Sequence, residues 1–215
     1  MAGAEGRPPL LILGAGGHAG VVAETALAAG ITLALAFLDD RPLISFLGWP
    51  VLGPLALARN PELRLQFPQA AVAIGHAATR LQWLLELEAI GYAIPAISHP
   101  GAVVSPSALI GRGSVLLAGA VLQTGARLGR GVILNSASSV DHDCQLADGA
   151  HICPGAHLAG EVRVGARSWI GIGASVIQQI QIGADVTVGA GAAVVGHLPA
   201  GVTAVGVPAR VLPSR

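Results

Sequence analysis

The chain is poor in aromatic residues, in charged residues and in cysteine. Phe, Trp and Tyr make up 3% of its 215 residues, so aromatic side chains cannot build the core. Asp, Glu, Lys and Arg make up 11%, whereas ordinary globular domains carry about a quarter charged residues. The chain instead has 30 glycines and many small aliphatic residues. This composition indicates repeated tight turns around an aliphatic interior, as in a solenoid.

The sequence also lacks a net charge and a long apolar run. Its 12 basic and 12 acidic residues balance, and no basic stripe indicates a nucleic-acid partner. The most apolar region, residues 10–38, is interrupted by several glycines, His18 and Glu24, so we expect no membrane-spanning helix. The N-terminus does not resemble an export signal. We therefore expect a cytoplasmic protein in which Cys144 and Cys153 are reduced thiols.

Aliphatic residues recur at every sixth position through the second half of the chain. From Val104 onward, sixteen successive positions carry only Val, Ile or Leu: Val104, Ile110, Leu116, Leu122, Leu128, Leu134, Val140, Leu146, Ile152, Leu158, Val164, Ile170, Val176, Ile182, Val188 and Val194. A period of six fits a prism in which each hexad forms a short flat strand and a corner. With three hexads in a coil of roughly 18 residues, the pattern predicts a left-handed parallel β-helix of about five coils.

Small residues and glycines mark two other positions of the hexad. Four residues after the aliphatic residue, most hexads have a small residue that we expect at a corner: Ala108, Ser114, Ala120, Ala126, Ser138, Cys144, Ala150, Ala156, Ser168, Ala174 and Ala192. Glycine often follows the aliphatic residue directly: Gly111, Gly129, Gly165, Gly171, Gly183 and Gly189. We expect these glycines to permit the turn, because glycine adopts backbone conformations that other residues avoid.

The first hundred residues show a different pattern, in which apolar strands alternate with helices. The predicted elements are a strand at Leu10–Leu13, a helix at His18–Ala29, strands at Leu33–Leu38 and Ala70–Ile74, a helix at Thr79–Ile90 and a connecting segment at Ile94–Ile97. We predict no regular structure in residues 43–68. The alternation implies a small parallel sheet, a Rossmann-like half. The boundary near His99 predicts two domains, residues 1–98 and 99–215.

A glycine-rich loop, Gly14–His18, joins the first strand to the first helix. Backbone N–H groups at the start of a helix bind anions such as phosphate. Asp39 and Asp40 end the second strand, where a ribose-binding acid often lies. A turn without a ligand and a dinucleotide-binding dehydrogenase are the alternatives. The dehydrogenase is disfavoured because a unit of about 90 residues lacks the second half of the crevice, so the loop favours a single nucleotide.

His142 lies between two carboxylates inside the repeat array, in the run Asp141-His142-Asp143. Neighbouring carboxylates favour the imidazolium and make the neutral ring a stronger base. Acetyl transfer from a thioester to an amine requires a base to take the proton of the attacking nitrogen, and His142 meets that need. A surface histidine without a function is the alternative. The sequence leaves open whether Asp141 or Asp143 orients the ring.

Two more histidines follow His142 in the array. His151 comes half a coil later, so the two side chains could meet only across a subunit interface. His157 repeats the hexad position of His151 on the next face. Three histidines on a β-helix can hold a metal ion, as in a hydratase of this fold, but these three face different ways. We therefore expect no metal site.

Several short motifs, which together span nearly the whole chain, carry a family resemblance. They are Gly14–His18, Phe37–Asp40, Ala73–Gly75, Ile133–Ser136, Asp141–Asp143 and the tail Gly206–Arg210. The tail resembles the closing motif of hexapeptide-repeat acyltransferases. The other motifs resemble a subfamily of sialic-acid O-acetyltransferase-like proteins and nucleotide-4-amino-sugar N-acetyltransferases. The chain is similar to the UDP-4-amino-sugar and GDP-perosamine enzymes of that subfamily.

The resemblance implies a role for particular residues. His142 would be the general base and Asp143 would raise its basicity, although the family often has Glu at that position. The implied substrate-binding residues are Gly16, Gly17, His18, Asp39, Asp40 and Gly75. The implied residues for acetyl-CoA, the co-substrate, are His151 near the thioester and Ile172 and Ala190 at backbone contacts. Ala190 replaces a family glycine, which is acceptable if only its main chain is used.

The resemblance also implies an activity and an assembly. The expected enzyme is a cytoplasmic homotrimer with sites between subunits, and it uses acetyl-CoA to acetylate the 4-amino group of a nucleotide-linked dideoxy sugar. Such a reaction would serve surface glycan synthesis, such as that of lipopolysaccharide O-antigen. An O-acetyltransferase acting on sialic acid or a related sugar is the alternative. A metal-dependent hydratase and a non-catalytic scaffold remain as weaker interpretations.

Overall fold

The first unit of the chain, Met1–Ser98, alternates strands with helices. In the computed structural model, which describes residues 6–213, its elements are β1 (Leu10–Leu13), α1 (Gly17–Ala28), β2 (Leu35–Leu38), β3 (Ser45–Phe46), β4 (Trp49–Pro50), a 3-10 helix (Leu55–Arg59), α2 (Pro61–Gln66), β5 (Gln69–Val72), α3 (Ala77–Ala89) and β6 (Ile97–Ser98). The strands and helices predicted up to residue 90 are present, and their ends differ by about one or two residues.

Strands β1, β2 and β5 form a parallel sheet with β1 at its centre. All four residues of each strand are buried, as expected for a parallel sheet, which is buried on both faces. Leu10 lies opposite Leu35 on one side and Gln69 on the other. Because the three strands run in the same direction, the loops that follow them emerge at one edge of the sheet.

The segment between β2 and β5 contains more regular structure than the sequence predicts. Strands β3 and β4 form an antiparallel pair, and a 3-10 helix and α2 follow. The prediction of an irregular segment over residues 43–68 is therefore wrong. Asn60 caps α2 by accepting a hydrogen bond from the Glu62 N–H at 2.8 Å, and Pro61 occupies the first helical position. Asn followed by Pro is a helix-start signal, and it was present in the sequence.

The second unit, His99–Arg215, is a β-solenoid of about six turns. Its strands are β7 (Val103–Val104), β8 (Leu109–Ile110), β9 (Val115–Leu116), β10 (Val121–Leu122), β11 (Arg127–Leu128), β12 (Ile133–Leu134), β13 (Ser139–Val140), β14 (Gln145–Leu146), β15 (His151–Ile152), β16 (His157–Leu158), β17 (Arg163–Val164), β18 (Trp169–Ile170), β19 (Ser175–Val176), β20 (Gln181–Ile182), β21 (Thr187–Val188), β22 (Ala193–Val194), β23 (Thr203–Val205) and β24 (Arg210–Val211). The predicted hexapeptide solenoid is confirmed, and its left-handed sense stays a prediction.

Each regular coil consists of three hexads, because every strand from β7 to β19 pairs in parallel with the third strand after it. Leu122 lies opposite Val140, for example, and Leu134 lies opposite Ile152. The aliphatic second residue of each strand from β7 to β22 points inward and, together with the small residues of the hexad, forms one continuous core. Pairing continues beyond the regular hexads, from Val188 to Ala204, so the solenoid has more turns than the five that the hexads predict.

The turn of each hexad is made by the third residue after the aliphatic one, and not by the glycine that directly follows it as predicted. Every sixth residue from Gly113 to Gly191 has a positive φ, including non-glycine residues such as Asp143 and Arg167. The glycines that follow the aliphatic residue have no positive φ. A Cβ at Gly171, for example, would lie 2.5 Å from the Val188 carbonyl oxygen of the next coil. These glycines are therefore required by the close stacking of coils and not by the turn.

Candidate active site

The loop between β1 and α1 leaves the start of the helix uncovered. Gly14 has φ +103°, and a Cβ there would lie 3.0 Å from the Ala73 carbonyl oxygen, so the loop requires glycine at this position. Gly16, the N-cap of α1, provides no side-chain cap, and a Cβ on Gly16 or Gly17 would meet open space. The first-turn N–H groups and the positive end of the helix dipole are consequently available to an anion.

His18 lies in the first turn of α1 with its ring largely covered by protein. Burial and the nearby Arg80 guanidinium lower the pKa of His18 to about 4, so the imidazole is neutral at physiological pH. Its Nε2 is buried and has no hydrogen-bond partner within residues 6–213. His18 therefore brings no positive charge to the start of the helix, and its buried Nε2 keeps an unused hydrogen-bonding capacity.

Asp39 holds the glycine-rich loop through two contacts. Its Oδ2 accepts a hydrogen bond from the Ala15 N–H at 2.7 Å, and its Oδ1 accepts one from Arg41 Nε at 2.8 Å. Arg41 Nη2 in turn donates to the Ala15 carbonyl oxygen at 2.9 Å. The hydrogen bond from Arg41, together with those from backbone N–H groups, holds the pKa of Asp39 far below its usual range. Asp39 is thus a permanent carboxylate that positions the loop.

Arg41, which contacts this loop at Ala15, was not predicted from the sequence to belong to the site. The available signal was a basic residue directly after the acidic pair at the end of β2. Asp40 points elsewhere, since its Oδ1 accepts a hydrogen bond from the Leu55 N–H at 3.0 Å. Of the two acids, only Asp39 contacts the loop among the hydrogen bonds of the described residues.

Gly75 follows β5 at the same edge of the sheet and is exposed. The buried Arg80 guanidinium donates to the carbonyl oxygens of Gly75 and Ile74 at 2.8 and 2.9 Å. Desolvation lowers the pKa of Arg80 to about 10, so the side chain keeps its positive charge at neutral pH. The structure thus places the loop after β1, Asp39 and Gly75 at one edge of the sheet, above a buried cation.

His142 and Asp143 form a second cluster, at the solenoid corner that follows β13. The Asp143 Oδ2 lies 3.0 Å from His142 Nδ1, so Nδ1–H donates to the carboxylate and Nε2 keeps its lone pair. Asp141 accepts a hydrogen bond from the His142 backbone N–H at 2.7 Å, so it contacts the main chain and not the ring. In this structure the acid that contacts the ring is Asp143.

Three carboxylates act on the ring of His142. The hydrogen bond to Asp143 raises the pKa of His142, and Asp141, Asp143 and Glu161 add to the shift. The ring is 53% exposed, so a substrate can reach it. A histidine with a fixed tautomer, a raised pKa and a free Nε2 can take a proton from an attacking nucleophile.

His151 and His157 do not join this cluster. His151 is half-buried on β15, where its Nε2 lies 3.2 Å from the Asn135 side-chain amide and its ring meets Trp169 edge to face at 6.3 Å. His157 is exposed on β16 and its Nδ1 lies 2.8 Å from the Ser139 hydroxyl. Within the described residues, no group of three or more His, Cys, Asp or Glu side chains could hold a metal ion.

Ile172 and Ala190 stack at another corner, one coil apart. The Gly191 N–H donates to the Ile172 carbonyl oxygen at 2.8 Å, which holds the two turns in register. Both residues are exposed, Ile172 by 56%. An extended ligand that runs along this edge could therefore reach the main chain of both turns.

The two cysteines are buried free thiols. Burial raises the pKa of Cys144 to about 11 and that of Cys153 to about 12. Because the thiolate is the nucleophilic form, neither residue is suited to forming an acyl-enzyme. No helix in the described part of the chain has the length and apolar character needed to cross a membrane.

Known proteins resemble this chain in both of its units. Residues 9–87 match the family model of the PglD N-terminal domain. The acetyltransferase domain of PglB from Neisseria gonorrhoeae FA1090 is 47% identical, with a TM-score of 0.92, over 96% of this chain and 100% of that one. That domain has also been solved in complex with acetyl coenzyme A. A comparison with curated protein sequences found no match.

Two more solved structures are similar over nearly the full length. PerB from Caulobacter crescentus, in complex with CoA and GDP-perosamine, is 40% identical over 95% of this chain and 97% of that one, with a TM-score of 0.90. WeeI from Acinetobacter baumannii AYE is 30% identical over 94% and 99%, with a TM-score of 0.85. Variants of the Caulobacter perosamine N-acetyltransferase with a histidine replaced by asparagine or alanine were also solved with CoA and GDP-perosamine.

Proposed function

This chain belongs to the hexapeptide-repeat sugar acetyltransferases, and we propose that it transfers the acetyl group of acetyl-CoA to an amino group of a nucleotide-linked sugar. The observation that carries the proposal is the 40% identity, over 95% of the chain, to a protein solved with CoA and GDP-perosamine. The match to the PglB acetyltransferase domain supports the same reaction.

The first unit supplies the residues proposed to bind the nucleotide sugar. Gly16 and Gly17 offer uncapped N–H groups to the diphosphate, and the buried charge of Arg80 favours the same anion. His18 contributes a neutral hydrogen-bonding ring, and Asp39 acts by holding the loop in place. The remaining proposed contacts are exposed positions at or near the same edge, Asp40 and Gly75.

His142 is the proposed general base. The sugar amine attacks the thioester carbonyl carbon, Nε2 takes a proton from the nitrogen, and Asp143 stabilises the imidazolium that forms. A new C–N bond forms and the C–S bond breaks, so the products are an N-acetyl sugar and CoA, whose sulfur takes up a proton. This chemistry requires neither a metal ion nor a cysteine nucleophile.

The solenoid also supplies the proposed acetyl-CoA contacts. Ile172 and Ala190 present exposed main chain along one edge, where it suits the extended pantetheine arm. His151, half-buried beside Asn135, is proposed to lie near the thioester. Because His142 lies on a different corner of the same solenoid, we propose a homotrimer in which neighbouring subunits complete each site.

The proposed acceptor is the 4-amino group of a dideoxy sugar linked to GDP or UDP. GDP-perosamine, the sugar nucleotide bound in the PerB complex, is an example of a nucleotide amino sugar held by a relative. Both substrates are metabolites of the cytoplasm, so we propose that the enzyme acts there. Its product would serve the synthesis of surface glycans such as O-antigen.

A thiol-release assay with acetyl-CoA tests the proposal. The acceptors are GDP-perosamine, UDP-linked and dTDP-linked 4-amino-dideoxy sugars, the same amino sugars without a nucleotide, and free sialic acid. We expect strong turnover with one nucleotide amino sugar and little with its free counterpart. Turnover with free sialic acid alone would instead make the chain a sugar O-acetyltransferase.

A further inference from the structure

From Arg112 to Ala190, one position of the hexad carries a side chain in every hexad except one. The position is the first corner residue, which recurs at every sixth residue from Arg112 to Ala190. Its occupants are Arg112, Ala118, Thr124, Arg130, Ser136, His142, Asp148, Pro154, Gly160, Ala166, Ile172, Gln178, Ala184 and Ala190. Gly160 is the only glycine in this range and follows His142 by one complete coil; the next position of the series, Gly196, lies beyond the last regular positive-φ turn residue, Gly191.

The backbone does not require glycine at this position. Gly160 has no positive φ, and all other occupants of the series have a Cβ. The hydrogen bonds around it join coils through main-chain atoms alone: Gln179 N–H donates to the Gly160 carbonyl oxygen at 2.9 Å, and Glu161 N–H donates to the His142 carbonyl oxygen at 2.9 Å. The reason for glycine must therefore lie in the space beside its Cα.

That space is filled by the ring of His142. A Cβ built on Gly160 would overlap His142 Nε2 and would lie 2.6 Å from Cε1 and 3.0 Å from Cδ2. Gly160 is also the only residue of the series that is buried within the described chain. The imidazole thus lies against the bare backbone of the next coil, and the atom nearest to the missing methyl group is the proton-accepting nitrogen.

We propose that Gly160 is a positioning residue for His142: the absence of a side chain one coil above the base allows the ring to lie against the corner with Nδ1 on Asp143 and Nε2 uncovered. The inference rests on the proposed role of His142 as the base. A methyl group at this position would push the ring away from Asp143 or cover Nε2. In either case the base would no longer be held for proton transfer.

A second glycine, Gly125, also lies beside the His142–Asp143 pair, but it is less suited to a substitution test than Gly160. A Cβ on Gly125 would lie 2.5 Å from Asp143 Oδ1, so this residue too makes room for the pair. Gly125, however, has φ +71°, a conformation that favours glycine for backbone reasons alone. A substitution there would change the turn and the pair together, whereas a substitution at Gly160 changes only the space beside the ring.

The test compares Gly160→Ala with Gly196→Ala, His142→Ala and the double variant His142→Ala/Gly160→Ala. Gly196 is a matched control because it has no positive φ and a Cβ there would meet nothing within 4 Å. Three quantities are measured: kcat with the accepted nucleotide amino sugar, the Kd of CoA by calorimetry, and the His142 pKa by NMR titration of the ring protons. Asp141, Asp143 and Glu161 are the charged groups that affect that titration.

Gly160→Ala should lower kcat by on the order of 10²-fold, because a displacement of about 1 Å can cost that much in a positioned catalytic group. The Kd of CoA should stay unchanged, and the His142 pKa should fall as the ring leaves Asp143. Gly196→Ala should behave as wild type. In the double variant, Gly160→Ala should cause no loss of kcat beyond that of His142→Ala. The unfolding curve of the double variant should match that of His142→Ala.

An unchanged kcat and an unchanged His142 pKa in Gly160→Ala would overturn the inference. A loss of equal size in the wild-type and His142→Ala backgrounds, or a weakened Kd for CoA, would assign Gly160 to substrate contact instead. Full activity of His142→Ala would reject the proposed base. The NMR titration needs no substrate, so it tests the ring's position even in that case.

Discussion

The two units of the chain position their candidate site residues by different means. In the solenoid, successive coils repeat one backbone, and the site consists of departures from the repeat: the His142–Asp143 pair and the bare Gly160. In the first unit nothing repeats, and the candidate binding loop is held by specific side-chain contacts from Asp39 and Arg41. In the solenoid, candidate site residues are therefore recognised as departures from the hexad pattern. In the first unit they are recognised by their hydrogen bonds to the loop.

Removal of the base should give the largest effect on activity. His142→Ala should lower kcat by roughly 10² to 10⁴-fold, the usual contribution of general acid–base catalysis, as measured by thiol release at saturating substrates. The Kd of CoA and the free energy of unfolding should stay unchanged, because the ring is an exposed corner residue. His157→Ala, on the adjacent coil, is the matched control and should retain activity. Comparable losses in both variants would contradict the assignment of the base.

Substitution of an aliphatic core residue of the hexad should lower the stability of the protein, in contrast to substitution of the base. Ile152 is fully buried in the continuous core, so Ile152→Ala should reduce the free energy of unfolding by about 2–5 kcal/mol in chemical denaturation. Ile177 lies in the same unit but is 43% exposed, and Ile177→Ala should cost much less. Equal losses for the two variants would show that the aliphatic repeat does not carry the stability of the solenoid.

The contacts of the first unit should affect substrate binding. Asp39→Asn removes the charge that holds Arg41 against the Ala15 carbonyl and so loosens the loop. The KM of the nucleotide sugar should rise roughly tenfold, which corresponds to the loss of one hydrogen bond to a charged group. The KM of acetyl-CoA should stay the same in steady-state kinetics. A selective rise in the KM of acetyl-CoA would contradict the assignment of this loop to the nucleotide sugar.

The smallest effect should come from the acid beside the base. Asp143 raises the pKa of His142, and the base acts in its neutral form, so activity in the wild type rises with pH through that raised pKa. Asp143→Asn removes the charge, and the rising limb of the kcat/KM profile should shift to lower pH with a loss of a fewfold at the plateau. Asp141→Asn should shift the limb less, because Asp141 contacts the backbone. An unshifted limb in Asp143→Asn would contradict the pairing.

Much of the solenoid could be predicted because the six-residue aliphatic period can be read directly from the sequence. The aliphatic period gives the coil length, the core row and the pairing of strands three apart. The role of Gly171 and its equivalents was misjudged, because the close stacking of one coil on the next appears only in three dimensions. Gly160 could have been found, since it stands 18 residues, one coil, after His142 at a position that carries a side chain elsewhere between Arg112 and Ala190.

Less of the first unit could be predicted. Its buried strands and two long helices follow from apolar runs bounded by glycine, and the loop at the edge of the sheet follows from their order. The roles of Arg41 and Arg80 depend on side-chain directions that no period encodes. The helix α2 was missed although Asn60 and Pro61 mark its start, because six residues are too few to show a helical pattern.

The measurement that tests the central claim most directly is the identification of the product by mass spectrometry and NMR after incubation with acetyl-CoA and a nucleotide-linked 4-amino sugar. The account predicts a product with one added acetyl group, attached to the sugar nitrogen, with the nucleotide intact. A product acetylated on oxygen, or acetylation of the free sugar in preference to the nucleotide-linked one, would contradict it.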